Sequence, residues 1–158
     1  PFLRARQTAL PLALRFKLDE AVEMDETVRE FTYLSMPPLA QKPADRYPAV
    51  EAYWATMDPE LAFPGAESFR AFLERTCRFA KRAAQTPGTS VVFSHGLFMS
   101  LFKMLAASPR CDPDGRFMAA VDQARRLNEI ANTEWHTYRW QEDRWQLTGL
   151  APPTFDRR

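Results

Sequence analysis

Two short stretches carry side chains suited to acid–base and anion chemistry. In VVFSHG an apolar run ends on Ser94, His95 and Gly96 and passes into LFMSLFKMLAA. That order places an imidazole at the carboxyl edge of a strand and beside a helix amino terminus. Open α/β sheets bind ligands at such edges, and the free N–H groups of the helix favour anions there. His95 is one of only two histidines in the chain; the alternative is a plain polar strand-end residue, and the placement favours function. In PFLRARQTA, Arg4 and Arg6 lie about 200° apart around a helix axis, so at most one of them faces a given site. Arg4 stands in the first turn, where its planar fork suits an anion. Taken alone, a solvated surface arginine is the commoner case.

These groups need a scaffold. Leu3, Gln7, Leu10 and Leu14 follow helical spacing behind Pro1, which predicts a first helix with a leucine face that ends near Phe16. AVEMDETVREF alternates Val22 and Met24 with Glu23 and Asp25, which reads as a short strand and a turn. Residues 34–64 hold six prolines among Tyr47, Tyr53 and Trp54, and read as an excursion over the site with one short helix near Pro48–Met57. Phe69, Phe72, Leu73, Thr76, Ala80 and Ala83 predict an amphipathic helix closed by Pro87-Gly88. TSVVFSHG then reads as a buried strand and LFMSLFKMLAA as an apolar helix. Phe117, Ala120, Val121, Ala124 and Leu127 mark a further helix, and TEWHTYRWQEDRWQLTGL a hairpin turning at Gln141–Arg144. His136 alternates within that hairpin as an ordinary strand residue. The order of elements indicates a layered α/β domain.

Composition sets the bounds. The 158 residues fit a single domain spanning 1–158. A formal charge of +1 gives no global field for nucleic acid or an anionic membrane, so neither is an expected partner and any anion must be held by a local cluster. Cys77 and Cys111 lack metal-ligand spacing and argue against a zinc site or a disulfide framework, which makes a reducing, cytoplasmic setting the expectation. No apolar run approaches the roughly 18 residues of a membrane span, and the start lacks the pattern of a signal peptide.

Taken together, PFLRARQTA, VREFTYL, GAESFRAFLER and VVFSHG resemble, in order, motifs of the histidine phosphatase superfamily, the phosphoglycerate mutase-like proteins. The first resembles S-P-x-x-R-A-x-Q-T-A, the second the L-x-E segment, the third G-E-S-F-x-x-F-x-x-R and the last the second histidine motif. The resemblance covers essentially the whole chain. It implies a three-layer α/β/α fold with a central, mostly parallel sheet. It further implies a phosphoryl-transfer pocket in which Arg4 binds phosphate, Glu30 is the acidic proton donor and His95 hydrogen-bonds the phosphoryl oxygens. Such residue types suit the chemistry, since a cation and an imidazole steady the equatorial oxygens while a carboxylic acid protonates the leaving oxygen. Glu30 needs a raised pKa for that task. Glu23, Asp25 and Glu26 are rival carboxylates, and the REF alignment favours Glu30.

One departure is large. The family's R-H-G triplet, whose histidine attacks phosphorus, does not occur in residues 1–158. The first expectation is that it lies upstream of Pro1 and that the complete protein is a phosphatase, less readily a mutase, that hydrolyses a phosphate monoester without metal or other cofactor. The alternatives are an inactive relative that binds phosphorylated ligands, and an interaction module using the 34–64 segment. The expected partner is a small phosphorylated substrate or a phosphoprotein, with a homodimer possible. Tyr33, Tyr53 and Trp54 are candidates for the substrate pocket, as is Tyr47, although aromatic residues at such spacing more often pack. Lys42 and Arg46 could add charge at the mouth.

Overall fold

A computed structural model describes residues 2–18, 22–34, 43–127 and 130–151. Five helices and one hairpin make up its regular structure: α1 (Leu3–Phe16), α2 (Tyr47–Ala55), α3 (Phe69–Gln85), α4 (Gly96–Ala107), α5 (Gly115–Leu127), β1 (Trp135–Gln141) and β2 (Arg144–Ala151). Short 3-10 turns cover Glu26–Val28 and Pro43–Arg46.

The helices form where the apolar period is strongest. Ser68 caps α3 by accepting a hydrogen bond from the Ala71 amide at 3.2 Å, and Gly88 follows its end at φ +82°. The faces of α3, α4 and α5 close over one core containing Phe69, Phe72, Leu73, Leu101, Met118 and Val121. Phe31, from the loop before α2, stacks on Phe72 with ring centroids 4.4 Å apart. The hairpin is antiparallel and pairs Gln141 with Arg144 and Trp135 with Ala151. Glu142 and Asp143 turn it with φ of 53° and 56°, the geometry that matches strand twist in a two-residue loop. The Tyr138 ring stands edge-on to Phe102 of α4, and the Trp145 indole donates to the Ala80 carbonyl at 3.2 Å.

Several expectations change. The described residues form a mixed helix and strand fold whose sheet is the hairpin alone; the central parallel sheet is not among them. The stretches read as strands, Val22–Met24 and 89–95, carry no strand structure, and Val91 and Val92 are 61% and 45% exposed. A strand requires a neighbour to complete its ladder, and among the described residues neither stretch has one. In α1 the leucine face is also reversed. Ala5, Ala9 and Ala13 are buried while Leu3, Leu10 and Leu14 are exposed. The alanines at i, i+4, i+8 form the close-packed stripe, and the leucines stand on other faces.

Cys77 and Cys111 form a disulfide across 34 residues of sequence. This corrects the expectation of free thiols. The loop after α4 passes α3 closely enough to bring the two Cα atoms to 6.2 Å, a proximity that spacing along the chain does not reveal. It also removes the support that free thiols lent to a reducing compartment. No helix among the described residues is long and apolar enough to cross a membrane.

Candidate active site

The site forms where the loop 22–34 meets the first turn of α4. His95 is the N-cap of α4 in extended backbone, and its side chain makes no capping hydrogen bond. Glu30 takes over that task. Its Oε2 accepts from the Leu97 amide at 3.4 Å, and its Oε1 accepts from the Phe98 amide at 3.3 Å and from its own neighbour Phe31 at 3.0 Å. A carboxyl group is therefore set on the positive end of a helix by a residue far away in sequence. Ser94 ties the two segments together, its hydroxyl donating to the Val28 carbonyl at 2.6 Å.

The protonation states follow from burial and charge. Burial pushes the Glu30 carboxyl above the ordinary carboxylate value, against the opposing pull of the Phe31, Leu97 and Phe98 amides and of the Arg4 charge. His95 is only 6% exposed. Burial, followed by the charge of Arg4, lowers it to about 4, so the imidazole is neutral near pH 7. Its ring stands edge-on to Phe2 at 5.3 Å, and the Arg4 guanidinium lies over the same Phe2 ring, 4.5 Å from its centre. Arg4 is itself exposed, as is Arg6. The charge acting on Glu30 and His95 from α1 is that of Arg4.

Of the residues singled out in the sequence, Glu30 and His95 meet at the start of α4, and the charge of Arg4 acts on both. Tyr53 and Trp54 do not join them. They are 1% and 2% exposed and belong to the aromatic core with Phe31 and Phe69, which leaves neither ring a face for a ligand. Tyr33 is half-buried against Phe31 and Tyr53, close enough for the Glu30 charge to raise its hydroxyl, although burial is the larger cause. Tyr47 is exposed. Arg46 is half-buried, with its charge acting on Tyr33, while Lys42 lies outside the described residues. Among the rival carboxylates, Asp25 caps the turn at Thr27 and pairs with Arg82 on the surface, and Glu26 lies near Arg29. His136 is a satisfied strand histidine, with Nε2 2.7 Å from Glu134 and Nδ1 3.1 Å from the Tyr138 hydroxyl. Among the described residues, no three His, Cys, Asp or Glu side chains gather as a metal-binding set.

Two neighbours of the site lie in GAESFRAFLER, at the glutamate and the arginine of the G-E-S-F-x-x-F-x-x-R resemblance, but were given no role from the sequence. Arg75 and Glu67 are buried and joined through two hydrogen bonds, Nε to Oε1 at 2.7 Å and Nη2 to Oε2 at 3.0 Å. A second signal was positional: Arg75 falls three residues after Phe72 and four before Phe79, which puts a charge on an apolar stripe.

A neutral imidazole and a carboxyl with a raised pKa thus stand at one helix amino terminus, with the charge of Arg4 acting on both. The family model described as the histidine phosphatase superfamily (branch 1) matches residues 1–151, and the chain belongs to that superfamily. Membership places it in the general class of phosphoryl-transfer enzymes. No curated protein and no solved structure matches the chain.

Proposed function

We propose that the complete protein is a metal-independent phosphatase that hydrolyses a phosphate monoester through a phosphohistidine, with the attacking histidine supplied from upstream of Pro1. One observation carries this reading: in a chain of this superfamily, Glu30 reaches the first turn of the helix that His95 opens. In the first step the upstream histidine attacks phosphorus and the ester oxygen leaves, taking its proton from Glu30. Neutral His95 donates to a phosphoryl oxygen and Arg4 adds positive charge, so the charge that spreads over the equatorial oxygens meets fixed partners. Water then releases phosphate from the histidine, with Glu30 now accepting the proton. The raised pKa of Glu30 supports its role as the donor. The proposal includes the three-layer fold, in which residues 22–24 and 89–95 become sheet strands once a neighbouring strand is present.

The substrate on this reading is a small phosphorylated molecule or a phosphoprotein, and Tyr33, half-buried beside Phe31 and Tyr53, is the aromatic residue assigned to it. The inactive alternative is favoured by the lack of an R-H-G triplet in residues 1–158. The interaction-module reading is weakened by Tyr53 and Trp54, which the 34–64 segment gives to the core. The deciding measurement is hydrolysis of p-nitrophenyl phosphate by the full-length protein with a chelator present, followed by a search for acid-labile phosphate on the protein. Turnover insensitive to the chelator is expected. Phosphate binding without turnover would establish the inactive alternative.

A further inference from the structure

Glu30 lies on a loop with little regular structure, so something else must fix its backbone. Three carbonyl oxygens of that loop point at one guanidinium. Arg75 Nη1 donates to the carbonyls of Thr27 at 2.9 Å and Arg29 at 2.8 Å, and Nη2 donates to the carbonyl of Glu30 itself at 3.1 Å. With its two bonds to Glu67, Arg75 places all five of its N–H donors. Arg75 is 4% exposed, so each of those bonds is made away from water, where an unmet donor is costly. Glu67 completes the grip. Its amide donates to the Thr32 carbonyl at 2.9 Å, beyond Glu30, and its carboxylate lies 3.2 Å from Arg29 Nη2. The Arg75 guanidinium also lies over the Phe72 ring, which stacks on Phe31.

We infer that Arg75, held by Glu67, is the positioning residue that fixes the backbone of Thr27–Glu30 and thereby sets the Glu30 carboxyl on the first turn of α4. Nothing else among the described residues binds three successive or near-successive carbonyls of this loop. A lysine retains the charge but has only three donors on one atom, and it cannot span Glu67 and three carbonyls in the same plane. The role in catalysis rests on the reading of Glu30 as proton donor; the positioning itself does not.

The test uses the full-length protein with Arg75→Lys, Glu67→Gln and, for assignment, Glu30→Gln. The Glu30 carboxyl is titrated by carbon-13 NMR of glutamate-labelled protein, and kcat and KM on β-glycerophosphate, an ester with a poor leaving group, are measured against pH. The charged and titratable groups around Glu30 are Arg4 of α1, His95 before α4, Arg75 of α3 with its partner Glu67, and Arg29 and Tyr33 on its own loop. Arg75→Lys keeps every charge in this set, whereas Glu67→Gln removes one negative charge and so lowers the midpoint by itself. Loosening the loop lets water reach the carboxyl, so its midpoint should fall by about half a pH unit or more, while kcat drops about tenfold or more with KM within about twofold. A midpoint unchanged in a folded Arg75→Lys protein overturns the inference and leaves Arg75 a purely structural residue. If Arg75→Lys fails to fold, Glu67→Gln decides by hydrogen exchange of the Val28, Arg29 and Phe31 amides, which should quicken about tenfold or more, and unchanged exchange overturns the inference. A shifted midpoint in a protein that has no phosphatase activity even unmutated upholds the positioning and rejects the proposed function instead.

Discussion

The Glu30 carboxylate accepts a hydrogen bond from the Phe98 amide, 3.3 Å away, and so caps the helix whose first flanking residue is His95. Structure and chemistry meet in that contact. The helix amino terminus favours a negative Glu30 and its burial opposes one, with burial the larger effect. The carboxyl is left holding its proton to higher pH than an exposed glutamate does.

Replacing Glu30 by Gln separates the two roles. The amide oxygen can still cap α4, so stability should change by no more than about 1 kcal/mol. The titrating proton is lost, and kcat of the full-length protein on an ester with a poor leaving group should fall by about 100-fold or more. Urea melts and steady-state kinetics measure both. Unchanged kcat would remove Glu30 from the proton transfer.

His95 gives stability a dependence on acid. The unfolded imidazole takes up a proton near pH 6.5, whereas the folded one resists until about 4. Between those values the unfolded state binds more protons, so stability is full above 6.5 and declines as pH falls, by at most about 3 kcal/mol. Glu30 runs the other way. Its raised folded value favours the native state at low pH, and that contribution is lost as pH rises through it. Urea midpoints measured from pH 7.5 to 4 should therefore drop less in His95→Asn than in the parent protein. Parallel curves for the two proteins would show that His95 is not held neutral.

The disulfide encloses the site segment. Cys77 and Cys111 bracket residues 89–95 and α4, and cross-linking 34 residues stabilises by about 3–4 kcal/mol through the unfolded state. Reductant should lower the melting temperature without altering the far-UV spectrum of the native protein at 20 °C. Thiol titration of the unreduced, denatured protein should find no free cysteine. Two free thiols in that assay would contradict the bridge.

What was legible in the sequence follows from where each signal resides. The helical periods of α3 and α5 and the alternation of the hairpin are local, and each element forms where its pattern lies. The stretches 22–24 and 89–95 have apolar strand composition, but being a strand depends on a neighbour, which composition cannot supply. The leucines of α1 drew attention by their size, yet the closely packed stripe is the alanine one. Arg75 closes the GAESFRAFLER motif, but its role was not legible because arginine is normally solvated, and the loop carbonyls of Thr27, Arg29 and Glu30 together with Glu67 explain its burial. The bridge between Cys77 and Cys111 depends on how α3 meets the loop after α4. His95, Glu30 and Arg4 were found through ordered motifs, and their proximity is a matter of tertiary structure.

The exposed valines make a last prediction. Val91 and Val92 precede the site, stand in solvent and belong to no ladder among the described residues, while Leu3, Leu10 and Leu14 project from α1. Unpaired backbone beside apolar side chains is a template for another chain, and exposed apolar surface adds a driving force. Residues 1–158 expressed alone should therefore dimerise or precipitate at micromolar concentration and bind a hydrophobic dye. The double replacement Val91→Ser, Val92→Ser should shift sedimentation toward monomer, because it removes the apolar contribution at that segment while leaving Ser94 and His95 in place. If instead residues 1–158 sediment as a monomer with a cooperative melt and no dye binding, then 89–95 is content in water, and the proposal that it becomes a sheet strand beside a neighbour loses its physical motive.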